Sequence, residues 1–299
     1  MSCQKCPRHC DNTLIEKCFC HADSRLPEVA AVYAHRGEEP PISGEKGISN
    51  IFFAHCNLQC LYCQNHIISR AQVNPELVKY RGIDEIADAT VASLQETENI
   101  VGLVSATQYS DIIPILVEAL HKRDVYPTIV YNTNGYESVE TLKALAPYID
   151  VYLPDFKYSD SRLAMRYSNA ANYPEIARAA LKEMYSQKGS ALATDDNDMA
   201  FRGIIVRHLV LPGQVQNSID SLRWIAENIS TSIHISLMAQ YYPPEGLALP
   251  DQLNRKLGED EYEAVINELQ NLGFRRGWVQ QLESSDSYRP HFSTETSFA

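Results

Sequence analysis

From Ser49 to about Gln240, short apolar runs alternate with segments of helical period, and this constrains the fold more than any other feature. Candidate strands lie at 51–55, 100–105, 128–132, 151–153, 203–209 and 232–237. Between them, residues 84–96, 112–123, 138–146, 173–187 and 218–228 place apolar residues at i, i+3 and i+4, as Ile86, Ala89, Thr90, Val91 and Leu94 do. Asp84 stands at the head of one of these helices, and Ser218 with Ser221 at the head of another. Strands separated by helices imply βαβ units and a parallel sheet. Six units can close into a partial barrel or lie flat as a doubly wound sheet, and periodicity does not choose between them. Residues 189–200, with Asp195-Asp196-Asn197-Asp198, read as a solvated loop. Beyond Tyr242, Pro243-Pro244-Glu245-Gly246 marks a turn and 258–272 one more amphipathic helix.

Three segments follow from this: a Cys-rich, irregular extension over 1–48, the α/β unit over 49–283, and a polar tail over 284–299. With 299 residues, 44% of them hydrophobic, the chain can bury a large core. No apolar run reaches membrane-spanning length and the first residues lack a signal-peptide core, so no membrane partner is expected. A net charge of −12 argues against nucleic acid. All eight cysteines precede residue 64. Disulfides would staple distant parts of the fold; this crowding instead suggests metal or redox chemistry in a reducing, cytoplasmic setting.

Three of them follow the first strand as Cys56-Asn57-Leu58-Gln59-Cys60-Leu61-Tyr62-Cys63. Functional loops of parallel α/β folds sit at the carboxyl ends of strands. Three thiolates on one short loop can hold three corners of a four-iron cluster and leave the fourth iron open to a ligand. A zinc knuckle built on Cys60 and Cys63, with Cys56 or His55 added, is the competing reading. Three unliganded buried cysteines is another.

This C-x3-C-x2-C spacing, with Tyr62 before the last cysteine, resembles the radical S-adenosylmethionine (SAM) superfamily. Over nearly the whole chain the sequence is similar to relatives of pyruvate formate-lyase activating enzyme, most closely the PflX-type group. The landmarks are Gln64-Asn65 after the cysteines, Tyr131-Asn132-Thr133-Asn134-Gly135-Tyr136, Asp150 to Tyr158, Arg207-His208-Leu209-Val210-Leu211-Pro212-Gly213, and Ser236 to Tyr241. The resemblance implies a partial (β/α)6 TIM-like barrel of parallel strands, with a [4Fe-4S] cluster on Cys56, Cys60 and Cys63 and SAM on the open iron. It further implies reductive cleavage of SAM, a low-potential donor such as flavodoxin or ferredoxin, and a glycyl radical enzyme as partner. Tyr62 can pack on the adenine or simply on its own loop. Lys157 can bind the SAM carboxylate or pair with Asp155. Arg207 ends an apolar strand and needs an anion, either SAM or an internal carboxylate. Gln240 stands where activating enzymes can carry a His. Asn132 replaces an Asp that in those enzymes helps to hold a monovalent cation. Relatives place Gly-Gly-Glu after the second strand for the SAM amino group; here the chain reads Leu103-Val104-Ser105-Ala106-Thr107-Gln108, leaving Ser105 or Thr107 to accept that hydrogen bond.

Cys3, Cys6, Cys10, Cys18 and Cys20 form a second group, suited to zinc or an auxiliary cluster. Three functions are compatible with these residues: an activase for a glycyl radical enzyme, a radical SAM enzyme acting on a small molecule or another peptide, and a non-enzymatic metal-binding or iron–sulfur delivery protein.

Overall fold

A computed structural model describes residues 3–11, 18–23, 25–70 and 72–286. In chain order the described residues form β1 (Val29–His35), α1 (Pro40–Ser43), β2 (Ile48–Phe53), α2 (His66–Ser69), α3 (Ile83–Leu94), β3 (Ile100–Val104), α4 (Ile113–His121) and β4 (Thr128–Thr133). There follow α5 (Val139–Leu145), β5 (Val151–Pro154), α6 (Ser161–Ser168), α7 (Tyr173–Lys188), β6 (Ala193–Thr194), β7 (Ala200–Leu209), α8 (Val215–Asn228), β8 (His234–Met238), α9 (Glu259–Asn271) and β9 (Gly277–Val279). One open sheet runs β1-β2-β3-β4-β5-β7-β8-β9, with β6 on the side of β7. The six expected strands are β2, β3, β4, β5, β7 and β8, all parallel. The fold is thus a partial TIM-like α/β architecture whose sheet does not close.

Strand residues alternate between two faces. Ile51, Phe53, Val101, Leu103, Ile129, Tyr131, Tyr152, Ile204, Val206, Ile235 and Leu237 share the main core with the helices. The inward set changes character along the strands. At their amino ends Ile48, Ile100, Val130, Val151 and Ile205 form an apolar plug. One or two inward positions later stand Asn132, Asp155, Arg207 and Ser236, which line a cavity. The plug closes the bottom, and the polar set faces the mouth.

Three expectations change. The extension over 1–48 is not irregular throughout: β1 pairs antiparallel with β2, because Val29, Ala30 and Ala31 are buried against it. Ser218 does not head its helix; α8 begins at Val215, and the buried Ser218 hydroxyl meets His208 Nε2 at 2.8 Å. Residues 193–194 pair with β7, so the expected solvated loop is partly a β-hairpin. The short α6 was hidden by its polar sequence, although Asp160 caps it, accepting from the N–H groups of Arg162 and Leu163 at 2.6 and 3.0 Å. The tail over 284–299 lies mostly outside the described residues. Among the described residues no helix is long and apolar enough to cross a membrane.

The mouth depends on a close approach between the ends of β4 and β5. Gly135 has φ +80°, and a Cβ there would lie 2.3 Å from the Asp155 carbonyl oxygen. Gly135→Ala is therefore expected to destabilise the fold by about 3 kcal/mol, read as a lowered urea midpoint. An unchanged midpoint would mean that these strand ends stand further apart.

Candidate active site

The cysteine loop leaves the carboxyl end of β2, and its three sulfurs line a cavity of about 560 Å³, open on one side. Cys56 is buried, while Cys60 and Cys63 are half-buried. Each sulfur meets a polar side chain from a different part of the chain. Asn134 Nδ2 donates to Cys56 Sγ at 3.3 Å, Ser168 Oγ donates to Cys60 Sγ at 3.0 Å, and Ser69 Oγ lies 3.2 Å from Cys63 Sγ. The backbone N–H of Leu58 also points at Cys56 Sγ, at 3.4 Å. Burial pushes the Cys56 and Cys60 thiols up, while Lys157 pulls Cys60 down. Sulfurs supplied with N–H and O–H donors suit thiolates bound to a cation, so this donor set fits an iron–sulfur cluster.

The Ser168 contact ends a longer chain. Tyr62 OH lies 2.6 Å from Tyr158 OH, which lies 2.7 Å from Ser168 Oγ. With a thiolate at Cys60 the direction is set: Tyr62 donates to Tyr158, Tyr158 to Ser168, and Ser168 to sulfur. Tyr62 is buried, lines the cavity, and meets Tyr167 and Tyr241 edge-on.

Asn132, Lys157, Arg207 and Gln240 all line the same cavity. Lys157 Nζ is 2.5 Å from Asp155 Oδ2. Burial alone would lower the lysine, but the Asp155 carboxylate and Cys60 outweigh it and hold Lys157 protonated. Arg207 has internal partners: Nε and Nη2 meet both oxygens of Glu39 at 2.7 and 2.6 Å, and Nη2 also meets Glu38. Burial opposes ionisation of Glu38, yet Arg207 and His35 bring it down to about 2. Both glutamates lie in the segment joining β1 to β2, so the amino-terminal extension forms one wall of the cavity. Gln240 accepts from Gln280 Nε2 at 2.8 Å.

Thr107 is placed differently from its expected role. It is buried, its hydroxyl donates to Glu137 Oε1 at 2.6 Å, and it is not among the cavity-lining residues. The polar residue that lines it there is Ser105, just past β3, in the left-handed region at φ +56°. Residues that sequence reasoning did not single out are Ser69, Asn134, Glu137, Ser168, Glu38 and Glu39. Of these only Asn134 lay inside a noted motif; the others approach from segments whose proximity no local pattern encodes.

Residues 50–194 match the family model described as the radical SAM superfamily. That stretch runs from β2 through β6 and includes the whole cysteine loop. An uncharacterized protein of Methanocaldococcus jannaschii is 26% identical over 270 residues, covering 89% of this chain and 73% of that protein. The structure of Streptococcus suis SuiB bound to precursor peptide SuiA is similar with a TM-score of 0.50 and 13% identity, covering 78% of this chain and 49% of that one. SuiB bound to S-adenosylmethionine gives a TM-score of 0.49 and 13% identity, covering 76% and 48%. The chain spans about half the length of SuiB, and at this identity the likeness concerns the fold.

Two outcomes test the site. Glu137 is fully enclosed and accepts from Thr107, Thr133 and Tyr131; burial raises its pKa from the ordinary 4.5 to about 7. The folded chain then keeps a proton that the unfolded chain releases. Stability from this group is full below pH 4.5 and declines as pH rises to about 7, by on the order of 3 kcal/mol. Glu137→Gln should flatten that slope in urea unfolding at a series of pH values. In chain reconstituted with iron and sulfide, Ser168→Ala should lower the midpoint potential by roughly 50 mV, the equivalent of about one hydrogen bond to sulfur. Electron paramagnetic resonance during a redox titration reads this.

Proposed function

We propose that this chain, which carries a radical SAM domain over residues 50–194, cleaves S-adenosylmethionine and takes a hydrogen atom from a protein or peptide substrate. The observation that carries the reading is the three donor-supplied sulfurs on one wall of a polar-mouthed cavity. Cys56, Cys60 and Cys63 would hold a [4Fe-4S] cluster, which would supply the electron for reductive cleavage of SAM to methionine and the hydrogen-abstracting 5′-deoxyadenosyl group.

The remaining work belongs to this chain's own residues. Cys56, Cys60 and Cys63 hold three corners. Lys157, kept protonated beside Asp155, is the cation for the SAM carboxylate. Ser105, with Asn132 across the strand ends, supplies hydroxyl and amide groups toward the SAM amino group where relatives use a glutamate. Gln240 offers a further neutral contact, and Tyr62 an aromatic surface for the adenine. Arg207 is a positioning residue: its charge is matched by Glu38 and Glu39, so it holds the wall and leaves SAM to Lys157.

For the substrate, the resemblance to activating enzymes supports a glycine Cα of a glycyl radical enzyme, presented on a loop. The cavity opens on one side, which suits a loop better than a small molecule enclosed on all sides. SuiB binds a precursor peptide, and action on another peptide is the second reading. A flavodoxin or ferredoxin would serve as electron donor in the cytoplasm, a reducing setting in which the eight free cysteines persist.

Anaerobic reconstitution with iron and sulfide, then reduction with SAM present, should yield 5′-deoxyadenosine. Cys60→Ala should abolish it. Lys157→Met should keep the cluster's resonance signature while weakening SAM binding roughly tenfold or more. A zinc-filled triad with no cleavage would overturn the reading. Deuterium appearing in 5′-deoxyadenosine from a glycine-deuterated partner protein identifies the activase.

A further inference from the structure

Five cysteines upstream of the barrel take no part in the site above, yet the fold gathers them into one knot. Cys6 and Cys18 are buried, and Cys3, Cys10 and Cys20 are half-buried; all five are free thiols. Cys20 lies within electrostatic reach of Cys3, Cys6 and Cys10, and Cys18 of Cys3, Cys10 and Cys20. The Cys3 N–H donates to the Cys10 carbonyl at 2.6 Å, which ties the first turn shut.

Backbone donors converge on these sulfurs. Phe19 N–H donates to Cys10 Sγ at 3.3 Å. The N–H of Arg8 faces the sulfur of Cys6, and that of Ala22 faces the sulfur of Cys20. In both cases the donor comes two residues after the cysteine. Cys56 and Leu58 in the barrel loop share this arrangement. A neutral thiol gains little from such a donor, whereas a metal-bound thiolate gains a charge-assisted hydrogen bond.

Residues 3–11 and 18–23 form no helix or extended strand. They hold to the barrel through Ala22 and Cys20, which pack on the main core, and through polar contacts. Lys5 pairs with Asp111 at 2.5 Å, and Thr141 Oγ1 donates to the Lys5 carbonyl at 2.9 Å. Arg8 lies over the Phe19 ring and donates from Nε to the Asn57 carbonyl at 3.1 Å. Asn57 follows Cys56, so the knot docks against the back of the barrel's cysteine loop.

We propose that four of Cys3, Cys6, Cys10, Cys18 and Cys20 ligate a second metal centre, an iron–sulfur cluster packed behind the first. Among the described residues no group of three Cys, His, Asp or Glu side chains is already gathered around a single-ion site. All five candidate ligands are thiols, the ligand type of iron–sulfur clusters, and the zinc count below separates a cluster from a four-thiolate zinc site.

The test uses the full chain, reconstituted anaerobically with iron and sulfide in the presence of equimolar zinc, with iron, sulfide and zinc counted per chain. A variant with Cys56, Cys60 and Cys63 all changed to Ala leaves the knot untouched. It should keep about half the iron and sulfide of the parent and a cluster absorption band. A Cys6→Ser, Cys20→Ser variant should lose the complementary half while its triad still forms a cluster; circular dichroism confirms that it folds. A triad variant devoid of iron overturns the second centre. One equivalent of zinc in place of its iron overturns the cluster. Iron absent from the knot variant but present in the triad variant would instead fault the barrel site, so the two readings fail separately.

Discussion

Sulfur needs hydrogen-bond donors if it is to carry negative charge inside a protein, and the mouth of this barrel is arranged around that need. Asn134, Ser168 and Ser69 each reach one cysteine sulfur, from the end of β4, the end of α6 and the end of α2. Two of these donors are themselves held. Asn134 also donates to the Asn57 side chain at 2.7 Å, and Ser168 is held by Tyr158. Three distant segments are therefore committed to one loop, and that loop's shape depends on all of them.

Charge around the cavity is handled by pairing. Lys157 faces Asp155, and Arg207 faces Glu38 and Glu39. Buried ion pairs add little net stability, because desolvation offsets attraction, but removing one partner is costly. The pairs therefore act mainly on geometry. Arg207, on the interior strand β7, holds the segment between β1 and β2 and makes it a cavity wall. Lys157 remains a cation beside the cysteine loop whatever the pH in the neutral range.

Much of the fold was legible because parallel strands buried on both faces read as apolar runs. The six interior strands and their helices match the periodicity to within a few residues. What escaped was short or polar. The β9 strand has three residues, and α6 carries a polar face with its apolar positions few. β1 was obscured by the irregular cysteine-rich stretch before it. The cysteines and Lys157, marked by residue type and spacing, line the cavity, whereas Thr107 lies outside its lining. The turn after β3 sends Ser105 to the cavity and Thr107 down to Glu137, a choice made by the left-handed backbone at Ser105.

Residue type and spacing alone determined the sheet class and the place of the thiol loop at a strand's carboxyl end, since these rest on local period. Only the tertiary structure decided which carboxylates answer Arg207, which hydroxyls reach the sulfurs, and that the upstream cysteines gather behind the barrel loop. Apart from Ser69, six residues after Cys63, those contacts join residues 49 to 169 positions apart in the chain, and at such separations nothing but packing selects the partner.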